Sequence, residues 1–432
     1  MSSTAIATTI LMGGFFILLV LKIPITFALT AASIATAVYL DIPLMAIVQR
    51  MVQGVRSFSL LAIPFFILAG ELMSKGGISR RLIDFSNLLI GRMRGGLAQV
   101  NVLASMFFGG ISGSAVADVS SIGTIMIPMM KKKGYDADYS VAVTVTSACQ
   151  GVIIPPSHNM IIYSLAAGGV SIGRLFLGGF VPGVTLGIAL MVISYIIAVR
   201  RGYPKEAKYT LAEAITIAKE AALGLLTPVI IIGGVVSGVF TATESAAIAC
   251  VYAFLVTFVV YREIPLSDFR KILYSCLRTL AMVMSLIAAA SAFGWLMAFL
   301  RIPAMATEAL LAISRNRVIL LLLINAMLLV LGSIMDMAPL ILITTPILFP
   351  VVVTELGMHP VQFGVIMMLN LGIGLCTPPV GSALFVGTAV GRTSIERATK
   401  AMLPFYATMV VVLLLITFVP ELVMYVPNRF MP

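Results

Sequence analysis

Apolar runs of about 18 or more residues recur from Ala5 to the end of the chain, separated by short polar, basic or glycine-rich stretches. A helix of that length crosses the ~30 Å hydrocarbon layer of a bilayer. The pattern predicts ten full crossings, at roughly 5–21, 24–40, 57–74, 136–168, 175–199, 219–238, 243–261, 277–299, 359–390 and 402–424. Two further apolar segments, 97–130 and 318–353, have glycine-rich or proline-rich centres and read as hairpins that enter and leave by one face. Two polar-faced helices, 78–92 and 302–314, each precede a hairpin. In the first, Ile78, Leu82, Phe85 and Leu89 fall at helical spacing, so both read as arms lying along the membrane interface. The fold class is an all-α polytopic membrane protein.

Composition sharpens this. Of 432 residues, 60% are hydrophobic and 10% charged, and the mean hydropathy is +1.11. A soluble domain carries about a quarter charged residues, so a soluble core-rich or secreted protein is set aside. The start of the chain lacks the basic region of a cleavable signal, so its apolar part reads as the first span. The net charge of +11 follows topology rather than nucleic-acid binding. With the N-terminus outside and both hairpins returning to their own face, seven of the 28 Lys and Arg lie on one side. These are Arg50, Arg56, Arg174, Arg301, Arg315, Arg317 and Arg429, and the other 21 share the opposite side. The richer side is cytoplasmic, which leaves both termini on the opposite face.

The two halves resemble each other. Laying 134–175 on 357–398, an ungapped offset of 223, pairs Gly134, Gly151, Pro155, Pro156, Ala166, Gly168, Ser171, Ile172 and Arg174 with identical residues. Each half then has five crossings and one hairpin. Five is odd, so the halves enter from opposite sides. The predicted organisation is a first repeat at 1–199, a linker at 200–218 and a second, inverted repeat at 219–432. Such repeats are a signature of secondary transporters.

Two crossings are broken. The 136–168 span is far longer than the ~20 residues a straight crossing needs, and Pro155-Pro156 near its middle removes two amide donors. Its mate, 359–390, carries Pro378-Pro379. Unwound backbone at membrane depth persists only when buried in protein or facing a wet cavity. There its freed carbonyls suit a cation, and the half-helix N-termini suit an anion. The hairpin tips add polar material. In FGGISGSAVAD, Gly109, Gly110 and Gly113 would let the chain reverse, Ser112 and Ser114 offer hydroxyls, and Asp118 lies one turn into the next helix. The counterpart is Gly332-Ser333-Ile-Met-Asp336. An intramembrane carboxylate costs about 2.5–3.5 kcal/mol to insert, so both tips are expected to work as binding elements.

Other residues carry less. Glu244 reads as a capping residue, His158 as a polar neighbour of the break, and Trp295 as packing or an interfacial anchor. Cys149, Cys250, Cys276 and Cys376 read as packing residues without metal spacing. No HExxH, Walker A or Ser/His/Asp spacing points to an enzyme.

GGISGSAVADVSSIGTIMIPMM, IIPPSHNMIIY and CTPPVGSALFVG resemble the large membrane subunit of tripartite ATP-independent periplasmic (TRAP) transporters, over essentially the whole chain. As a whole the chain looks closest to the sialic-acid members. The resemblance implies a sodium-coupled importer of an organic acid, either a sugar acid such as sialic acid or a C4-dicarboxylate, working as an elevator. It also implies two partners: a small four-span membrane subunit and a periplasmic substrate-binding protein. A stand-alone carboxylate carrier or antiporter of the same fold, or a channel, stands as the alternative. On this footing one sodium site is expected at Ser112, Ser114, Gly151 and Ile154, and a second at Gly332, Met335, Gly374 and Thr377. The substrate is expected against Gly113, Ser114, Pro156, Ser157, Ser333 and Pro379. Asp118 and Asp336 are expected to support the tips rather than ligate. No transition metal is expected, since the donors are oxygens.

Overall fold

The computed structural model describes residues 3–206 and 209–431, and among them every regular element is a helix. Nine helices among the described residues are long and apolar enough to cross a membrane. In chain order the first part comprises α1 (Ser3–Val20), α2 (Ile25–Tyr39), α3 (Leu44–Val55), α4 (Phe58–Lys75), α5 (Ile78–Ile90), α6 (Gly96–Ser112), α7 (115–132), α8 (137–152), α9 (His158–Ala166) and α10 (Ile172–Arg200). The second part comprises α11 (Leu211–Val236), α12 (Ala242–Tyr261), α13 (Leu266–Phe299), α14 (Ile302–Ile313), α15 (Arg317–Ile334), α16 (Met337–Glu355), α17 (Pro360–Leu375), α18 (Ser382–Gly391), α19 (Ile395–Phe418) and α20 (Glu421–Phe430).

Several sequence expectations shift. The hydrophobic pattern did not announce α3, whose Gly54 packs so closely on α13 that an added Cβ would fall 2.0 Å from Ser291 Oγ. The linker is shorter than 200–218. Thr210 and Glu213 close a capping box, so the helix begins at Leu211. Residues 207 and 208 of that linker lie outside the described residues. The stripe of α5 is also rotated: Ile78, Leu82, Ile83 and Ser86 are buried, while Leu89 is exposed. Ile90, next to it, packs against the core instead. The face of α14 is mostly Ala, Met and Leu rather than polar. Glu244 caps α12 in a second capping box with Thr241. Arg50 of α3 lies over the Trp295 ring, 5.0 Å from its centroid. The four cysteines are free and buried.

Contacts sort the helices into two groups. α4 lies along α12, α13 along both α2 and α3, and α11 beside α12. A second group gathers α6–α10 with α15–α20: α6 on α8, α15 on α17, α8 on α18 and α19, and α10 on α19 and α20. The two sets cross over, because α7 packs on α18 and α9 packs on α16. Arm α5 lies between the groups, against α6 and α11. Arm α14 packs on α16 and the end of α13.

Polar side chains fasten the second group internally. The Tyr139 hydroxyl of α8 donates to Ser194 O of α10 at 2.9 Å. Gln362 of α17 donates to Ile416 O and Thr417 O of α19 at 3.0 and 3.2 Å. Asn370 of α17 donates to both the backbone and side-chain oxygens of Asn325 on α15, at 3.0 and 2.9 Å. In a bilayer such bonds hold helices that the hydrophobic effect alone would not bring together.

Candidate functional site

The first tip turns at Gly113 alone. Gly113 has φ +61, while Gly109 and Gly110 stay inside α6 and do not reverse the chain. Ser114 caps the following helix, its hydroxyl accepting from Ala117 N at 3.4 Å. Ser112 Oγ accepts from Ser114 N at 3.4 Å. The role of Gly109 is proximity. A Cβ there would stand 2.6 Å from Gly151 Cα, so the hairpin meets the first break backbone to backbone.

Around that contact the structure gathers the residues expected of the first site. Ser114 backbone atoms lie 3.8 Å from where a Gly151 Cβ would stand. A Cβ on Gly110 would approach Ile154 Cγ2 at 3.5 Å and Pro155 O at 3.4 Å. One on Gly113 would meet Pro156 O at 2.7 Å and Ser157 Cα at 3.2 Å. Both Pro-Pro bonds, 155–156 and 378–379, are cis.

The second tip repeats the arrangement 223 positions on. A Cβ on Gly374 would fall 2.4 Å from the Gly332 carbonyl carbon. Val380 N donates to Ser333 O at 3.0 Å, joining this tip to the chain just past Pro379. Thr377 N donates to Gly374 O at 2.9 Å, and its hydroxyl donates to Ile373 O at 2.7 Å. Met335 and Asp336 make the turn into α16.

The two acids are not equivalent. Asp118 is fully buried one turn into α7; its Oδ1 accepts from Ser105 Oγ at 3.2 Å, and Oδ2 has no protein partner. Asp336 is exposed at the N-cap of α16, the position that Ser114 holds in the first hairpin. A carboxylate there favours the helix N-terminus directly.

The two breaks also touch. Cys149 Sγ donates to Gly372 O at 3.0 Å and Cys376 Sγ to Val145 O at 3.3 Å. Ser157 and Ser382 stand at the N-terminal ends of α9 and α18, and both hydroxyl oxygens are buried without a partner. Sequence reasoning read Gly109 as a turn residue and Cys149 as packing, and it missed Ser105, Gly372 and Ser382. Gly109 was within reach, since the offset of 223 carries it onto Gly332. Arg174, which the repeat pairs with Arg397, donates to Asn428 Oδ1 at 2.7 Å.

Residues 12–422 match the family model for the DctM component of the tripartite ATP-independent periplasmic transporter. The chain belongs to the DctM family. It is 43% identical over 426 residues to a YgiK protein of Salmonella typhimurium, covering 98% of each chain. It is 41% identical to the sialic acid TRAP transporter large permease SiaM of Vibrio cholerae and 40% to the C4-dicarboxylate large permease DctM of Pseudomonas aeruginosa. The first match covers 89% of each chain and the second 86%. Among solved structures, the YdaH transporter of Alcanivorax borkumensis superposes with a TM-score of 0.59 at 14% identity, over 85% of this chain and 86% of that one. This DctM-family chain is therefore a large TRAP permease with a membrane-transporter fold.

Proposed function

We propose that this permease imports an organic acid across the bacterial inner membrane, driven by sodium. A small four-span subunit and a periplasmic substrate-binding protein complete it. Relatives whose names specify sialic acid or C4-dicarboxylates support the substrate class. Each repeat supplies one sodium site. Ser112, Ser114, Gly151 and Ile154 form the first, and Gly332, Met335, Gly374 and Thr377 the second. Backbone carbonyls dominate both, and such oxygens fit a hard cation. The acid lies against Gly113, Ser114, Pro156, Ser157, Ser333 and Pro379. There the N-termini of α9 and α18 and the bound sodium ions supply the positive field. Asp118 and Asp336 support the tips.

The observation that carries this reading is the pair of glycine-on-glycine contacts, Gly109 on Gly151 and Gly332 on Gly374. Each brings a hairpin tip against an unwound break, the arrangement in which freed carbonyls converge. The group α6–α10 with α15–α20 is then the moving body of an elevator, and α1–α4 with α11–α13 the scaffold. The basic side is cytoplasmic and both termini are periplasmic. Uptake of sialic acid or succinate into liposomes, with the small subunit and the binding protein present, tests the reading. Saturable uptake that needs a sodium gradient is expected. Equal uptake without the binding protein would favour a stand-alone carrier, and non-saturable flux would favour a channel.

A further inference from the structure

The linker between α10 and α11 is fastened at both ends, and the fastenings lie on opposite sides of a joint. Near its start, the Tyr203 hydroxyl donates to Asp136 Oδ2 at 2.7 Å, and Arg201 donates to the same oxygen at 2.7 Å. The Tyr203 ring stacks on Tyr135 with centroids 4.3 Å apart. Pro204 O accepts from Gly95 N at 3.1 Å. These partners belong to the body of α6–α8. Farther on, Glu206 N donates to Gly91 O at 3.1 Å, and Asn87 Nδ2 donates to the Tyr209 hydroxyl at 2.7 Å. Asn87 and Gly91 close the end of arm α5. The joint between arm and hairpin, residues 91–95, is thus bridged from both sides. It is folded tightly, since a Cβ on Gly96 would fall 1.9 Å from Gly91 O.

The other arm is placed differently. α14 meets α15 through residues 314–316, where the polar contacts are local: Asn316 N donates to Ser314 Oγ and Asn316 Oδ1 caps α15. α14 packs on α16 and α13, whereas α5 lies along the first helix of its own hairpin. An inverted repeat by itself makes the two end states of a moving body near equivalents, each arm taking in turn the pose of the other. A linker occurs once, so it breaks that equivalence.

We infer that residues 201–206 with Tyr209 form a strap that holds the first arm folded on its hairpin, and so sets the end state in which the free permease rests. Tyr203 and Tyr209 are positioning residues of the transport cycle. This rests on the elevator reading above. Reaching the opposite state opens the 91–95 joint, and the strap must release its bonds to the arm or to the body. Each bond adds a bias of several-fold to the ratio of the two states.

The test is a distance measurement between spin labels on the scaffold and the moving body, at Asp41→Cys and Val170→Cys. The four native cysteines are buried and stay unlabelled. One dominant distance is expected in the absence of sodium. A second is expected to gain population with sodium and sialic acid or succinate. Tyr203→Phe and Tyr209→Phe, which remove one oxygen each, are each expected to raise the second population roughly fivefold without ligand, and together more than either alone. Tyr252→Phe loses a hydroxyl that donates to Leu223 O at 2.8 Å between α12 and α11, away from the joint, and is expected to leave the ratio unchanged. If Tyr203→Phe and Tyr209→Phe lower the melting temperature but not the ratio, the strap is ordinary packing and the inference is wrong. A single distance under every condition would remove the moving body itself, and the inference with it.

Discussion

An added methyl at Gly374 would stand 2.4 Å from the backbone of Gly332, but one at Gly332 would stand 3.3 Å from Gly374 Cα. Gly109 and Gly151 show the same inequality, at 2.6 and 3.2 Å. Backbone cannot rotate aside as a side chain can, so the partners of one contact should differ in tolerance. Gly374→Ala and Gly109→Ala are expected to destabilise the purified protein by about 1–3 kcal/mol. Gly332→Ala and Gly151→Ala are expected to cost less. Thermal unfolding in detergent checks the ranking, and equal losses at all four positions would refute it. Ser112→Ala and Thr377→Ala each remove a hydroxyl beside a proposed sodium site. Each is expected to raise the sodium concentration for half-maximal uptake on the order of tenfold, as lost metal-site contacts commonly do. Unchanged sodium curves in both would dismiss the site assignment.

Between elements, buried amides join helices whose surfaces are otherwise as apolar as lipid. Asn370 gives Asn325 two hydrogen bonds, and Asn325 in turn donates to Leu321 O at 2.9 Å. Asn370→Leu is expected to lower stability by about 1–2 kcal/mol, because Asn325 Oδ1 loses its donor inside the α15–α17 seam. Asn325→Leu with Asn370→Leu should recover part of that loss, which a double-mutant cycle would read. Where the strap meets the exposed Asp136, the Tyr203 hydroxyl and then Arg201 hold its carboxyl below the usual range. A depressed carboxyl favours the folded state above its ordinary pKa, and that contribution fades as pH falls through the lowered value. The state ratio of the labelled protein is therefore expected to stay flat over about pH 6–8. A change across that window would point to a different group.

For the whole molecule the two proposed sodium sites have an electrical consequence. Two sodium ions carried with one monocarboxylate move a net +1 charge inward, and with a dicarboxylate they move none. One charge through 100 mV is worth about 2.3 kcal/mol, roughly 40- to 50-fold in accumulation. In liposomes with a fixed sodium gradient, an inside-negative potential is expected to raise the steady-state level of sialic acid and leave that of succinate nearly unchanged. Sialic acid accumulation indifferent to potential would reject two sodium sites.

The sequence by itself determined the class. Apolar runs of bilayer length, the sparse charge and the Pro-Pro breaks follow from hydropathy and backbone chemistry, which act over short stretches. The residues of each expected site could also be named, since tip and break announce themselves locally. Only the tertiary structure decided how they meet. Gly109 reads as a turn residue until Gly151 is found against it. Asp118 and Asp336 read as equals until one proves buried beside Ser105 and the other exposed at a helix cap. The Thr210–Glu213 box moved the start of α11, and contacts to Gly91 and Asn87 turned a polar spacer into a strap. The capping box is local; for Gly109 and the strap the deciding partner is distant in the chain, and a local pattern carries no information about which distant backbone will arrive.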